Sequence, residues 1–500
     1  MSGGRGMIDW ARGYARIGIY YDPISQADST STVVVWPGVM PVADARVCKQ
    51  VNWDNTHPAW SRQAPVRASN VRRWRGSSKT NETCSVSLTS VKMTNGVGGS
   101  DQETALARLV PCASEVEEIS AVEHQTRISQ LQRNMTDAGV DAVYVNAGTN
   151  LLYFTGIEWH PSERLLGAII PAKGSLIYIA PWFEERTLRD RMKVESDVMC
   201  WHEDESAYAA FYKALRAIGI APVHGSHAKI AICGTASASV YFGLKELSEN
   251  CELVCADALI GSLRKNKSRA EIALMQAAKD MTLQVHRAAA SILREGISTV
   301  EVYDFIDRAH RKVGATGSHF CIVLFGEATS YPHGVKEPQV LKRNDVVLID
   351  TGCKYKNYVS DITRTYVFGE ANDRQRFVWN AEKAAQAAAF DAARLGVPCA
   401  EVDRAARRCL ETYGFGPGYQ LPGLPHRTGH GIGLDLHEGP YLVGNDETPL
   451  EVGMCFSNEP MICIPGEFGV RHEDHFYMTE EGPRWFTRPA YSIDDPFRVA

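Results

Sequence analysis

No apolar run in the chain approaches the roughly 18 residues that a membrane-spanning helix needs. Its net charge of −6 leaves no basic surplus to hold nucleic acid or an anionic membrane surface. Neither kind of partner is expected. The first two dozen residues contain arginines but no continuous apolar stretch, which argues against a secretory leader. Thirteen cysteines, an odd number, are scattered without one C-x-x-C pair, so a disulfide framework or a zinc ribbon is not indicated. Reduced, mostly buried thiols in a cytoplasmic enzyme are the expectation. No repeat recurs at solenoid periods. What the chain does have is length and an ordinary soluble composition, 44% hydrophobic and 22% charged over 500 residues, enough for two folded domains.

Residues 1–112 differ from the rest. They mix isolated Trp, Gly, Ser and Arg without a sustained period of 2 or 3.6, and are read as a poorly ordered extension. Limited proteolysis is accordingly expected to trim the chain to near residue 112. Over 113–265 helical and strand-like segments alternate: EHQTRISQLQRNMTDAG, then DAVYVNAG, then a hairpin turning at Ala172-Lys173-Gly174. That rhythm predicts an α/β domain, and its lack of clustered ligand-type residues suits gating or oligomerisation better than chemistry. Lys265-Asn266-Lys267 marks the boundary. Residues 266–500 read as long helices set against short antiparallel strands, an α+β second domain.

That second domain holds the chemistry. In VVLIDTGCKYKNYVSDITRTYVFG, Asp350 and Asp361 lie eleven residues apart. On one straight strand they would be more than roughly 30 Å apart on opposite faces. Folded about a midpoint between Tyr355 and Lys356, they become direct cross-strand partners, with Cβ atoms about 5 Å apart. The arithmetic repeats at Glu459 and Glu473, whose midpoint is Gly466 in a Pro-Gly turn. Between the two hairpins, LPHRTGHGIGLDLHEGP carries His426, His430 and His437. Its glycines disfavour a helix and predict a loop or irregular strand that brings backbone close to a site. Four converging carboxylates repel one another, and two divalent ions would cancel their charge and leave His430 as a neutral ligand. Oxygen-rich ligation with one imidazole suits Mn, Co, Fe or Zn; Cys353, Cys455 and Cys463 are not expected to be ligands.

The motifs DTGCKYKNYVSDITRT, HRTGHGIGLDLHEGP, FSNEP and GVRHED, in this order, resemble the pita-bread-fold metallopeptidases. That family includes Xaa-Pro dipeptidase (prolidase), aminopeptidase P, methionine aminopeptidase and creatinase. The resemblance covers about residues 115–500, and the two-domain layout resembles the prolidase, aminopeptidase P and creatinase branch. It implies a creatinase-like N-terminal domain, a pita-bread catalytic domain and a homodimer. It implies that Asp361 and Glu473 bridge two metals, that Asp350 chelates one ion, and that His430 and Glu459 hold the other. It further implies substrate contacts from His333, His426 and His437, and an orienting role for Arg471. The implied reaction is cleavage of an X-Pro peptide bond by a metal-bridging hydroxide, with Glu459 moving the proton and His437 and His426 stabilising the intermediate.

One departure stands out. Where the family commonly shows Glu-Pro-Gly-Ile-Tyr, this chain has Glu459-Pro460-Met461-Ile462-Cys463, and loss of the tyrosine is expected to leave room near the ligands for a different substrate group. The alternatives are therefore the same metals acting on a small non-peptide substrate, as in dimethylsulfoniopropionate lyases or phosphotriesterases, or a non-enzymatic binding protein reusing the fold, as some histone chaperones do. Trp159 and His160 are candidates for N-terminal-domain residues reaching the pocket, across a dimer or as structural residues.

Overall fold

The computed structural model describes residues 96–111, 116–220, 227–248 and 251–498. The reading of residues 1–95 as an extension lies outside the described residues.

The N-terminal domain is built on six strands: β1 (Ala142–Asn146), β2 (Gly167–Pro171), β3 (Ile177–Pro181), β4 (Asp197–Trp201), β5 (Ala228–Ile232) and β6 (Cys251–Cys255). They form one mixed sheet in the order β4-β3-β2-β1-β5-β6. The predicted hairpin joins β2 to β3, with Gly174 in the left-handed region. The helix before β1, Ala121–Ala138, starts where the Ser120 side chain accepts from the Glu123 amide and stops at left-handed Gly139. A helix at Thr149–Thr155, absent from the sequence reading, follows β1. Its short apolar stretch, TNLLYFT, is indistinguishable from a strand by periodicity alone.

The catalytic domain divides into two layered halves. In the first, β7 (Ser318–Phe325), β8 (Val346–Tyr355), β9 (Tyr358–Val359) and β10 (Ile362–Val367) pair around β8. This sheet packs on helices Arg269–Ser291 and Thr299–Lys312, each started by a Ser/Glu capping box (Ser268 with Glu271, Ser298 with Glu301). In the second half, β11 (Gly429–Gly431), β12 (Glu438–Leu442), β13 (Cys455–Asn458), β16 (Asp474–Thr479) and β17 (Gly482–Trp485) run in the order β12-β11-β13-β16-β17. Strands β14 (Met461–Ile464) and β15 (Phe468–Arg471) form a separate hairpin. Helices Asp373–Ala392 and Cys399–Thr412 cover this half.

Residues 96–111 correct one expectation. The sequence pattern places them in a poorly ordered extension, but Gln102–Ala107 is a helix whose Ala105 is buried, with Leu109 just beyond it, in the core shared with Val285, Phe305 and Ile306. Alternating small and charged residues hid an apolar face only one turn long. A second apolar cluster runs from Leu131 and Phe154 of the N-terminal domain to Val359, Ile432 and Leu434 beside the site, so the two domains share core. None of the ten described cysteines is in a disulfide, and six of them are buried; no helix among the described residues is long and apolar enough to cross a membrane.

Candidate metal centre

The two acidic hairpins form, one with the predicted register and one without it. In the second, Met461 pairs with Arg471 and Ile464 with Phe468, and on the other side Asn458 pairs with Asp474. This register runs through Glu459 and Glu473 and puts them opposite each other about Gly466, which is left-handed (φ 78°). In the first hairpin the two-residue turn is Lys356-Asn357, both at positive φ, with Tyr355 opposite Tyr358. Asp350 therefore lies opposite Thr363 rather than Asp361. The shift of two residues keeps Asp361 on the same face, as a diagonal neighbour of Asp350. The two hairpins are joined where the Glu473 amide donates to Thr363 O (3.1 Å) and the Thr363 hydroxyl to Glu473 Oε2 (2.8 Å).

His430 reaches this junction from β11, an irregular strand with a bulge between His430 and Gly431. Its glycines are there for close approach: a Cβ on Gly429 would meet Ser457 O at 2.1 Å, and one on Gly431 would meet Glu438 O at 2.4 Å. The His430 amide donates to Ser457 Oγ (2.9 Å), and that hydroxyl donates to Glu459 Oε1 (3.1 Å). The ring's Nδ1 lies 3.0 Å from Gly431 O. A carbonyl only accepts, so Nδ1 carries a proton and Nε2 is the nitrogen turned to the carboxylates. Nε2 is 3.2 Å from Glu459 Oε1 and 3.6 Å from Asp361 Oδ2.

The buried polar atoms show what this cluster fits. Among the described residues, Asp350 Oδ1, Asp361 Oδ1 and Glu473 Oε1 are buried without a hydrogen-bond partner, and His430 Nε2 is buried with only carboxylate oxygens beside it. Sets of their donor atoms, such as His430, Glu459 and Glu473, lie within 4.8 Å of one another. Oxygen and imidazole lone pairs converging without protein donors are suited to divalent cations. Burial, reinforced by Asp361 and Glu459, pushes Asp350 and Glu473 well above the usual carboxylate range, against the pull of Arg471. Burial also opposes a charge on His430 and Glu459, but there the attraction wins. Asp361 and Glu459 lift His430 to about 9, and His430, His426 and Arg471 hold Glu459 down to about 2.

Arg471 donates to Asp350 Oδ2 (2.6 Å), to Thr363 Oγ1 (3.1 Å) and to Pro332 O (3.1 Å). It thus ties the loop carrying exposed His333 to the carboxylates. His426 is half-buried with Nδ1 2.7 Å from Arg427 O, and burial keeps its ring below the ordinary value. Exposed His437 stands edge-on to His430, ring centroids 4.2 Å apart. Cys463, on β14 where the family commonly has tyrosine, is 1% exposed, belongs to the apolar core and pairs through its backbone with Gly423. Trp159 and His160 line a crevice of about 270 Å³ with Lys354, Leu434 and Asp435. Sequence reading missed His475, two residues beyond Glu473 on the same face of the strand; period-two alternation was the signal. It also missed Arg264, which donates to Asp435 (2.8 Å), Glu438 (2.5 Å) and Asn150 (2.7 Å) and so anchors the His437 loop to the N-terminal domain.

Residues 273–480 match the profile of metallopeptidase family M24, and residues 127–265 that of the creatinase/prolidase N-terminal domain. YkvY of Bacillus subtilis is 31% identical over 357 residues, 71% of this chain and 96% of the relative. The chain belongs to metallopeptidase family M24. Among solved structures of the family, prolidase from Thermococcus sibiricus is 30% identical over 73% of this chain and 97% of its own, with a TM-score of 0.66. Dipeptidase PepE from Mycobacterium ulcerans is 31% identical over 75% and 98%, with a TM-score of 0.68. Aminopeptidase P from E. coli, 20% identical over 74% and 95% (TM-score 0.62), shares the fold. The M24 chain thus has the creatinase-type domain followed by the pita-bread catalytic domain that its motifs predicted, and membership implies a peptidase that works with divalent metal ions.

Proposed function

We propose that this M24 protein hydrolyses X-Pro peptide bonds with two divalent ions held by Asp350, Asp361, His430, Glu459 and Glu473. The observation that carries this reading is the set of orphaned donor atoms from both hairpins and β11, meeting at the Thr363–Glu473 bridge. The relatives named prolidase and dipeptidase at about 30% identity support the substrate class. Asp361 and Glu473, the diagonal and bridging carboxylates, would be shared between the ions. Asp350 would hold one ion and His430 with Glu459 the other; the donor types suit Mn, Co, Fe or Zn.

When bound, such ions supply Lewis acidity and a water of lowered pKa. The protein's residues do the rest. Glu459, the least buried of the four carboxylates by side-chain exposure (15%), is the one placed to take a proton from the attacking water and return it to the leaving amine. Its Oε1 is engaged by Ser457, leaving Oε2 for that transfer. His437, exposed beside His430, is free to turn a ring N–H toward the carbonyl oxygen of a bound peptide. His426 offers Nε2 as an acceptor while its ring is neutral and as a donor once protonated. Two copies of the chain are proposed to associate, with Trp159 and His160 at the crevice between the domains.

The test is turnover of Gly-Pro and of a longer X-Pro peptide by metal-loaded protein, with and without chelator. Chelator-sensitive cleavage at the X-Pro bond is expected, and the preferred length separates dipeptidase from aminopeptidase. Bound metal with no cleavage of either peptide would contradict the prolyl reading.

A further inference from the structure

The His475 ring is fully buried, and neither of its nitrogens has a hydrogen-bond partner among the described residues. Strand alternation aims it. Asp474 turns away to Arg364 (2.7 Å) and Thr487 (2.5 Å), while Glu473 and His475 share the opposite face. On that face His475 lies across from Ser457, the residue whose hydroxyl contacts both His430 and Glu459. His475 Nε2 is 3.6 Å from Glu473 Oε1, an oxygen that is itself buried and unpartnered. Donor atoms of Asp361, Glu473 and His475 all lie within 4.8 Å of one another.

The distance decides between two roles. At 3.6 Å the ring is too far for an N–H···O hydrogen bond to the carboxylate. Two donors each about 2.1 Å from one ion stand about 3.0–3.6 Å apart for angles of about 90–120°. The separation of His430 Nε2 from Asp361 Oδ2, in the ligand set already described, is the same 3.6 Å. His475 differs from other buried, unpartnered rings in what it faces: its donor atoms group with those of Asp361 and Glu473, two carboxylates already in the proposed ligand set, which is a ligand arrangement.

We infer that His475 is a sixth protein donor to the metal centre, binding beside Asp361 and Glu473, so that the centre holds two imidazoles instead of one. The inference rests on the metal-binding reading above. A second neutral nitrogen adds no charge and moves the preference of the site from hard ions such as Mn²⁺ toward Co²⁺, Fe²⁺ or Zn²⁺.

The test uses the whole protein loaded with Co²⁺ and the proton NMR spectrum in water, where ring N–H protons of coordinated histidines appear as strongly shifted, exchangeable signals. Two such signals are expected in the unaltered protein and one in His475→Leu. That variant should also bind one of the two Co²⁺ ions at least tenfold more weakly. A single signal in the unaltered protein, with Co²⁺ taken up, overturns the His475 assignment and leaves the five-donor reading standing. Two signals persisting in His475→Leu overturn it as well. Failure of the unaltered protein to take up Co²⁺ overturns both. If His475→Leu does not fold, the count in the unaltered protein, with histidine ring nitrogens labelled to identify the signals, decides alone.

Discussion

Arg471 ends β15, and its guanidinium joins Asp350, Thr363 and the carbonyl of Pro332, while its backbone exchanges hydrogen bonds with the Thr365 hydroxyl. A planar fork of donors meets three acceptors in fixed directions here, which an ammonium cannot do. Arg471→Lys is expected to lower metal affinity about 10- to 100-fold, since groups that orient ligands typically cost that much when lost. Metal titration of the variant, with circular dichroism to check folding, measures it. Affinity equal to the unaltered protein would show that Asp350 is oriented by other means. Most of the proposed ligand residues could be picked out in the sequence because carboxylates and histidines at turn-centred spacings have few structural uses. His475 was not, because a single histidine on a strand is more often a satisfied core residue. Its unpartnered nitrogens, set beside Asp361 and Glu473, distinguish it.

At the scale of elements, the two hairpins show what spacing can and cannot tell. Pro465-Gly466 names its own turn, so the second register followed from the sequence. The first hairpin turns at Lys356-Asn357, whose positive φ values are those of a type I′ turn. Asn357 was the available signal, and centring on the aspartates instead displaced the register by two. Because two is the period of a strand, the error preserved the face and the site survived it. The helix Gln102–Ala107 was illegible for a different reason, its length of six residues being too short to display a period. It caps the core beside Val285 and Phe305, and Arg308 pairs with its Glu103 (2.6 Å). Limited proteolysis followed by mass spectrometry should therefore yield a stable fragment that retains residues 102–107. A stable fragment beginning after residue 111 would show that this helix is dispensable.

Across the whole molecule, the domains are held by shared apolar core and by Arg264, whose partners Asp435 and Glu438 flank His437. The fold class and the two-domain division were legible from alternation and motif order, whereas these contacts between domains were not, since no local pattern encodes them. Each domain also buries a histidine that its surroundings keep neutral. His124 joins two N-terminal helices through Tyr153 O, and His310 joins Thr282 to Ser318. Burial lowers both to about 4. The unfolded chain takes up these protons near pH 6.5 while the folded chain does not, so their stability is fully present above that pH and is lost as pH falls toward 4. Each contributes roughly 3 kcal/mol over that window. The melting temperature should be flat above about pH 7 and fall between pH 6.5 and 4, less steeply in His310→Gln. An identical slope in that variant would contradict the assignment.

Every scale converges on the cluster at the Thr363–Glu473 bridge, and its claim is that these side chains hold metal. The direct measurement is elemental analysis of the protein and of Asp361→Ala after equilibration with Mn²⁺ or Co²⁺ and removal of free ion. Two ions per chain are predicted for the unaltered protein, with at least one lost, together with metal-dependent turnover, in Asp361→Ala. No bound metal in the unaltered protein, or the same metal content and near-normal activity in the variant, would contradict it.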